Sequence, residues 1–590
     1  MILTLCAVVS GEAAATRESA LRKRLLRIPT SSQTHITVRS FGWLSVGLAL
    51  SRDDASIDPW LDLAEGATGV LWGRSPWSQR AQRDACRQAL NGTPRQVPLE
   101  GEYCLFLLDH RGRRCRVLRD ALGTRSTFWT EQDSTCWLST DERCLQPAAP
   151  HADADYLASF FAGEAPPPGR TPVEGVRELP PGHYVDVTPH GPGRPQRYFT
   201  FHYQPEARRL RGTAAVEAVS ATLTGALRRS GSDGSVLALS GGLDSPALAA
   251  CGEFAAAATY ALPAWPPCDE SALAADVARQ VGLPLTTVNC DQLGPLSVAF
   301  YATPRASVGP ELDAYQALRQ ALWTAVREQG HQVVTTGDFA DHLYLGYPYA
   351  LRDRFWAAPG STLRAALRRG RRRPAFWRDP LLRRMLPANG LSRRWRRGHP
   401  PWLTPAARRR LGLEPHHPLY GPVGQVDRVE GCLSTAAARA AHLGLLQAQD
   451  AGVALRFPYR DPELVQLLLS LPADCLYDPL RDRTKAVLRD AMAARLPPAV
   501  VQRRDKTTLE PVFRQALLRD HRKTVAALLA QYPAWREFVE PAWLDGVRAR
   551  DKWSSSELYV LWCCLSFGLR AQLAASGQPA PPLTEAAARQ

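Results

Sequence analysis

The sequence predicts two domains of different class: an α+β domain over residues 1–205, and an α/β domain over residues 206–590 with a doubly wound parallel sheet and a helical C-terminal part. Three observations predict this division. Short β-rich runs dominate the first 200 residues, strands alternate with amphipathic helices from Gly212, and the chain after residue 400 has mainly helical periodicity. A length of 590 residues also exceeds one ordinary domain of about 150.

The N-terminal domain is predicted from runs of 6 to 10 residues that are rich in β-formers, with turn residues such as His110–Arg113 between several of them. Loops are expected at 164–169 and 180–182, where proline and glycine cluster. Helical periodicity begins after residues 203–212, which places the domain boundary there. The predicted strands are ILTLCAVVS, FGWLSVGLAL, EYCLFLLD, CRVLRD and TCWLSTD.

The second domain is predicted from strand-like runs that alternate with helical segments. Residues 213–230 have helical spacing, and ALAADVARQVGL is a second helix. Between and after these segments come four strand-like runs: SVLALS, ATYALPA, TTVNCD and HQVVTTGD. Strands that alternate with helices form a parallel sheet, which binds ligands at the carboxyl ends of its strands.

Composition excludes several classes of protein. The 13 cysteines contain no Cys-x-x-Cys pair, which argues against a structural zinc site and a secreted disulfide framework. The apolar run at 558–569 is 12 residues long, whereas a membrane span needs about 20. The N-terminus has no basic segment before its apolar residues, so we expect no signal peptide and a cytoplasmic location.

The net charge of +15 rests on 67 arginines and only 5 lysines, and charge alone does not indicate nucleic-acid binding. Clustering is more informative. Between Arg364 and Arg397 there are 13 arginines against one acid, Asp379, with Trp377 and Trp395 interleaved. A solvated insertion, a surface for a peptide or partner protein, and a nucleic-acid surface all fit this composition.

The strongest chemical signal is Ser235-Val-Leu-Ala-Leu-Ser-Gly-Gly-Leu-Asp-Ser245. It reads as a buried strand, a Ser-Gly-Gly turn and a helix start. Glycines let backbone N–H groups approach an anion closely, which makes a phosphate nest. Ser240 and Ser245 add hydroxyl donors, and Asp244 stands where it can hold Mg²⁺ on the phosphates. No Gly-Lys-Ser/Thr follows, so this is not a Walker A loop.

This string resembles the PP-loop of ATP pyrophosphatases, and nearly the whole chain resembles the class B asparagine synthetases. That family has a glutaminase (Ntn) sandwich before its PP-loop domain, so the resemblance implies the same fold here. The segments that carry it are Arg119–Trp129, Glu178–His183, Cys268–Ser271, Thr336–His342, Arg456–Asp461 and Arg483–Arg489, then Arg503–Lys506.

The resemblance implies ATP and Mg²⁺ as cofactors and assigns roles by position. Asp244 and Asp341 are the expected Mg²⁺ ligands, and Lys506 is expected to neutralise charge as pyrophosphate leaves. Asp338 is the nearest candidate base, and Lys485 is interpreted as structural. The expected phosphate contacts are Ser240, Gly241, Gly242 and Ser245, and the expected adenosine contacts are Ala238, Leu262 and Gly337.

The glutaminase part lacks its family's chemistry. Class B asparagine synthetases begin Met-Cys, and that cysteine is the nucleophile, whereas position 2 here is Ile2. Their glutamine-holding Asn-Gly-Glu segment has no counterpart, because Asn91-Gly92 is followed by Thr93. Cys6 is interpreted as an apolar strand residue. We therefore expect an inactive amidotransferase domain and an amine other than ammonia from glutamine.

Relatives with an inactive glutaminase part include β-lactam synthetases and lasso-peptide macrolactam cyclases. The former carry a tyrosine where this chain has Asp338; Asp341-His342 and Lys506–Pro511 look more like the latter. The resemblance thus implies a cyclase that adenylates an Asp or Glu side chain of a precursor core peptide and closes a macrolactam ring with its N-terminal amine. A leader peptidase and a leader-recognition protein are the expected partners. A β-lactam-type cyclase, another amide ligase and a nucleic-acid-binding protein with a residual ATP site are the alternatives.

Overall fold

The computed structural model describes residues 2–28, 34–51, 60–63, 66–76, 78–92, 100–147, 150–164, 166–296, 309, 314–344, 359–372, 400–411, 433, 435–478, 483–504, 507–550 and 552–576. The N-terminal part consists of antiparallel strands. They are β1 (Ile2–Val9), β2 (Thr34–Phe41), β3 (Leu44–Ser51), β4 (Trp60–Asp62), β5 (Ala67–Arg74), β6 (Glu102–Asp109), β7 (Arg114–Arg119), β8 (Phe128–Gln132), β9 (Thr135–Ser139), β10 (Arg177–Glu178), β11 (His183–Thr188), β12 (Gly191–Pro192) and β13 (Gln196–Arg197).

These strands form two sheets that pack face to face. One has the order β10-β8-β9-β1-β3-β2, and the other β12-β11-β7-β6-β5-β4, with β13 beside β11. Successive side chains of β1 point to opposite faces of its sheet. Leu5 and Ala7 are buried between the two sheets, while Cys6 and Val8 face the opposite side. The sandwich core is therefore built from alternate residues of both sheets.

Among the described residues of this region there are also three α-helices, which the strand-rich prediction did not include: α1 (Ala14–Leu25), α2 (Gln79–Asn91) and α3 (Ala154–Phe161). Helix α1 packs on the sheet of β1, β2 and β3, and α2 on that of β6. Helix α1 is hard to detect because its buried positions include Arg17 as well as Leu21 and Leu25, so its apolar stripe is narrow.

The turn that follows Arg119 has a structural role in the N-terminal part. The side chain of Asp120 accepts hydrogen bonds from the backbone N–H groups of Leu122, Thr124 and Arg125. The buried Arg119 guanidinium donates to Glu178 at 2.8 Å, which ties this turn to the Glu178–His183 segment. The two N-terminal motifs therefore meet, and they hold the sandwich together through a buried ion pair.

The second part contains a five-stranded parallel sheet: β14 (Val236–Ala238), β15 (Ala256–Ala261), β16 (Leu285–Asn289), β17 (Val333–Thr335) and β18 (Ala454–Arg456). Its order is β16-β15-β14-β17-β18, with every pair parallel. The parallel sheet and its first four strands are as the sequence predicts. Strand β18 was missed, because three residues inside a helical stretch give no period-2 signal.

Helices surround this sheet and form the C-terminal part. They are α4 (Gly212–Ser230), α5 (Asp244–Ala249), α6 (Ser271–Val281), α7 (Gln316–Glu328), α8 (Ala340–Tyr344), α9 (Pro359–Arg372), α10 (Pro405–Arg410), α11 (Thr435–Asp450), α12 (Pro462–Ser470), α13 (Ala473–Leu476), α14 (Ala486–Met492), α15 (Pro498–Val501), α16 (Glu510–Gln515), α17 (Arg522–Gln531), α18 (Pro541–Arg548) and α19 (Ser555–Ser576). A short hairpin joins β19 (Tyr477–Asp478) and β20 (Arg483–Thr484). The predicted boundary at residues 205 and 206 lies between β13 and α4 and stays a prediction.

The two parts share a buried interface. Arg439 on α11 makes two hydrogen bonds to the carboxylate of Glu142, at 2.7 and 3.0 Å, and both side chains are buried. Beside them lies His442, whose ring is tilted against Phe128 at 5.1 Å. Burial lowers the pKa of His442 to about 3, so this interface holds a neutral imidazole.

The arginine-rich segment is described only in part. Helix α9 contains Arg364, Arg368 and Arg371, which are exposed, while residues 373–399, with Trp377 and Trp395, lie outside the described residues. Within the described ranges, no helix is both long enough and apolar enough to span a membrane.

Candidate active site

The Ser240–Ser245 loop follows β14 and closes on itself. The hydroxyl of Ser245 accepts a hydrogen bond from the Ser240 N–H at 2.9 Å and lies 3.1 Å from the Ser240 hydroxyl. The Gly242 N–H points to the Ser240 hydroxyl at 3.3 Å. The two serines thereby fix the shape of the turn and keep hydroxyl groups at its open side. The helix behind it, α5, is short, with six residues.

A second turn, after the neighbouring strand β17, lies against this loop. A Cβ on Gly337 would approach the backbone nitrogen of Ser245 to 3.0 Å, so only glycine lets the two turns come this close. Strands β14 and β17 pair in parallel at the centre of the sheet, where the connections diverge to opposite sides. Their carboxyl ends form the switch point at which such sheets bind ligands.

The turn between β17 and α8 carries backbone strain. Phe339 has φ of +80°, a conformation that residues with a side chain rarely adopt. Its ring stacks on His342, with centroids 5.1 Å apart, and the Arg460 guanidinium lies 4.4 Å above it. These contacts hold the strained turn, as is common where a backbone must aim functional side chains.

Asp244 and Asp341, 97 residues apart in the sequence, meet at one ammonium group. The Lys485 Nζ lies 2.5 Å from Asp244 Oδ2 and 2.6 Å from Asp341 Oδ1. The three side chains are 10, 22 and 35 % exposed for Lys485, Asp244 and Asp341. The two carboxylates converge on one cation, so the loop after β14 and the helix after β17 lie together at this edge of the sheet.

This donor set fits a magnesium ion that also binds phosphate. Mg²⁺ is usually held by one or two carboxylates, with waters and substrate phosphates as the other ligands. Asp244 and Asp341 supply two carboxylates, and the described residues contain no group of three or more His, Cys, Asp or Glu that could hold a metal alone. The Lys485 ammonium occupies the position between the carboxylates that a cation would take.

The other predicted residues have separate placements. Asp338 is exposed beside Gly337, and Ala238 ends β14 next to the loop. Leu262 follows β15, but its side chain is buried in an apolar cluster with Cys268 and Leu318, and its carbonyl accepts from the Trp265 N–H. Only the backbone of Leu262 remains to flank a nucleotide. Lys506 lies outside the described residues, so its role stays a prediction.

Three residues at the site received no functional role from the sequence. Lys485 was interpreted as structural, although it bridges both aspartates. Glu270 accepts a hydrogen bond from the Gly241 N–H at 3.1 Å, and Arg503 donates to the Gly241 carbonyl at 2.9 Å. The rarity of lysine, five in the chain, was the one available signal. No spacing predicts that residues more than 200 positions apart will meet.

The cysteines of the N-terminal part are all buried among the described residues: Cys6, Cys86, Cys104, Cys115, Cys136 and Cys144. Burial raises the pKa of the Cys86, Cys104 and Cys136 thiols to about 12. Cys6 lies inside β1, between β3 and β9, with no exposed surface. A buried thiol is not available as a nucleophile. The interpretation of Cys6 as an apolar strand residue agrees with this placement.

Family comparison agrees with the two-part architecture. The Asparagine synthase family model matches residues 218–566, which is more than half of the chain, and the Glutamine amidotransferase domain model matches residues 89–199. The chain belongs to the asparagine synthase family. Its first part is a glutamine amidotransferase (Ntn) domain with antiparallel sheets, and its second is a parallel-sheet domain.

The solved structures with distant similarity include two enzymes. One is the glutamine phosphoribosylpyrophosphate (PRPP) amidotransferase from B. subtilis complexed with ADP and GMP, with 10 % identity over 61 % of this chain and 79 % of that chain, and a TM-score of 0.24. The other is described as the allosteric regulatory enzyme of purine biosynthesis, with 10 % identity over 61 % and 78 %, and a TM-score of 0.23. Likeness at this level supports no inference about function. A comparison with curated proteins finds no match.

Membership decides the broad chemistry. The asparagine synthase family uses ATP, and its synthetase domain covers the part of this chain in which the Ser240 loop and the aspartate pair lie. The protein is therefore an ATP-dependent amide-forming enzyme of the asparagine synthetase-like family.

Proposed function

We propose that this protein is a macrolactam cyclase of the lasso-peptide type. It activates an Asp or Glu side-chain carboxylate of a precursor core peptide with Mg²⁺-ATP and closes a ring with the N-terminal amine of that peptide. A leader peptidase and a leader-recognition protein are its proposed partners, because the N-terminal amine must be freed and the peptide delivered.

The observation that carries the proposal is the burial of every described cysteine in the amidotransferase domain. Glutamine hydrolysis in this family needs an accessible thiolate, and none of these thiols meets that need. The synthetase site, in contrast, brings together the two aspartates and the phosphate loop. An amide-forming site without its own ammonia source calls for an amine that does not come from glutamine, such as the N-terminal amine of the peptide itself.

Each proposed role belongs to a placed residue or to a sequence match. The Ser240–Ser245 loop would bind the phosphates, and Asp244 and Asp341 would hold Mg²⁺, which would neutralise phosphate charge. A carboxylate oxygen of the peptide attacks the α-phosphorus and pyrophosphate leaves. The peptide amine then attacks the acyl carbon, AMP leaves, and Asp338 accepts the proton from the amine. Lys506 offsets the negative charge of the tetrahedral intermediate.

A peptide α-amine suits such a site. Its reference pKa is about 7.7 to 8.0, so a large fraction is neutral near neutral pH and a weak, exposed carboxylate such as Asp338 is an adequate base. Closing a ring of about eight residues costs roughly 2 kcal/mol in loop entropy plus a constant. Cleavage of ATP supplies the driving force, and binding in the site must hold the peptide folded on itself.

A mass measurement tests the proposal. A core peptide with a free N-terminus and an internal Asp or Glu, incubated with the protein and Mg²⁺-ATP, is expected to lose one water. Acetylation of the N-terminus removes the nucleophile, so the mass loss should stop while AMP formation from the intact carboxylate can continue. Turnover of a small β-amino acid with no change in any peptide would contradict the proposal and favour a β-lactam-type cyclase.

A further inference from the structure

Glu270 lies at the start of α6, with its carboxylate against the phosphate loop. One oxygen, Oε2, accepts a hydrogen bond from the Gly241 N–H at 3.1 Å. A Cβ on Gly241 would lie 2.9 Å from the Glu270 Cβ and 2.7 Å from the Leu273 Cβ, so the loop and the helix start are in direct contact. Glu270 therefore reaches the loop with little freedom, and a negative oxygen already occupies one of its N–H donors.

Arg503 holds the other oxygen of the same carboxylate. Its Nη1 lies 2.7 Å from Glu270 Oε1 and 2.9 Å from the Gly241 carbonyl oxygen, and its Nη2 donates to Thr507. The two side chains are about a fifth exposed. The Gly241 N–H and the Arg503 guanidinium thus converge on one anion from two sides, with solvent access.

The geometry points to an exchange of anions at this position: Glu270 is an internal substitute for a phosphate group, and Arg503 is a pyrophosphate-binding residue that releases Glu270 when ATP binds. This deepens the assignment of Ser240–Ser245 as the phosphate loop and rests on it. A guanidinium binds a carboxylate and a phosphate with the same paired N–H geometry. A backbone N–H in a glycine turn likewise donates a hydrogen bond to either anion.

A protein side chain also takes the place of the expected cation at this site. The Lys485 ammonium lies between Asp244 and Asp341, where a divalent cation would bind. Without ligand, the protein's own charged groups pair with each other, which avoids unpaired charges at partly buried positions. If the anions exchange, the Glu270 carboxylate competes with pyrophosphate for the Gly241 N–H and the Arg503 guanidinium.

The effect of removing the Glu270 charge on pyrophosphate binding distinguishes two roles for Glu270: a competitor of pyrophosphate, or a residue that only positions Arg503. If Glu270 only positions Arg503, then Glu270→Gln weakens pyrophosphate binding. If Glu270 competes, Glu270→Gln removes a negative charge near the bound phosphate and strengthens binding, by about tenfold for one charge at a distance of a few ångströms in a partly solvated site. Arg503→Gln removes a charge-assisted donor and should weaken binding by about tenfold or more.

Isothermal titration of the full chain with sodium pyrophosphate in magnesium chloride measures both effects without a peptide. Asp276→Asn and Arg279→Gln are the matched controls, because they change the same charges on the exposed face of α6, where these two residues pair with each other. Urea unfolding without ligand completes the test. Both site variants lose the Glu270–Arg503 ion pair and should unfold at lower urea.

The expected result is tighter pyrophosphate binding by Glu270→Gln together with lower stability without ligand, a combination that general damage to the fold does not produce. Unchanged or weaker binding by Glu270→Gln, with normal binding by the wild-type protein, overturns the exchange and leaves the phosphate loop intact. No binding by the wild-type protein overturns both. An Arg503→Gln variant that binds as tightly as the Arg279→Gln control also overturns the assignment.

Discussion

Replacement of Lys485 by methionine tests how the aspartate pair is held without ligand. The substitution keeps an unbranched side chain but removes the ammonium that contacts Asp244 and Asp341 at 2.5 and 2.6 Å. Each hydrogen bond to a charged group contributes about 1.5 to 3 kcal/mol. Because the aspartates are 22 and 35 % exposed, solvent screens the pair, and we expect a total loss of about 3 kcal/mol in the free energy of unfolding.

Backbone strain at residue 485 is the same in both proteins. Lys485 has φ of +55° and ψ of +39°, a left-handed conformation that costs about 1 to 2 kcal/mol for a residue with a side chain. Methionine keeps that cost, so the difference between the two proteins reports on the ion pairs. Lys523→Met is the matched control, because Lys523 is exposed on α17.

The assay is urea unfolding in EDTA and again in excess magnesium chloride. Lys485→Met should unfold at lower urea in EDTA, and magnesium should restore part of the loss, because a divalent cation can bind between the freed carboxylates. The control should match the wild-type protein in both buffers. If Lys485→Met is as stable as wild type in EDTA, the lysine does not hold the two aspartates together and the reasoning is wrong.

Three further outcomes follow from other parts of the molecule. Asp341→Asn should lower AMP formation by at least about 10²-fold, measured by chromatography of the nucleotides, while Asp276→Asn on α6 should leave it unchanged. For His442, the folded pKa of about 3 lies below the unfolded value of 6.5, so the unfolded chain takes up the proton first. Stability is therefore complete above pH 6.5 and should fall by about 2 kcal/mol between pH 7 and 5, a decline that His442→Leu should reduce; an equal slope in both proteins would contradict the buried neutral imidazole. Glutamate release from glutamine should be undetectable by enzyme-coupled assay, and release that disappears in Cys6→Ala would overturn the interpretation of the amidotransferase domain as inactive.

Much of the candidate site could be proposed from the sequence because its residues follow strands directly. Ser240–Ser245 come after β14 and Gly337–Asp341 after β17, and the carboxyl ends of parallel strands meet at one edge of a sheet. The pairing of Asp244 with Asp341 therefore followed from local pattern and from resemblance. Their distance in the sequence did not matter, since the sheet order brings their strands together.

The missed features depend on tertiary packing. Lys485, Glu270 and Arg503 lie at helix starts or in connections, where no periodicity fixes the direction of a side chain. Strand β18 has three residues and takes its form from pairing with β17, and α1 packs through a stripe that includes the buried Arg17. In each case long-range contacts decide the local structure, so a pattern read along the chain gives too weak a signal.

Transfer of an isotope from substrate to nucleotide tests the central claim most directly. A core peptide whose acceptor carboxylate carries oxygen-18 is incubated with the protein and Mg²⁺-ATP, and the nucleotides are analysed by mass spectrometry. If the carboxylate attacks the α-phosphorus, one labelled oxygen leaves with AMP as the ring closes, and pyrophosphate stays unlabelled. Label in inorganic phosphate with ADP as the other product, or a closed ring with no label in AMP, would contradict adenylation at the Asp244–Asp341 site.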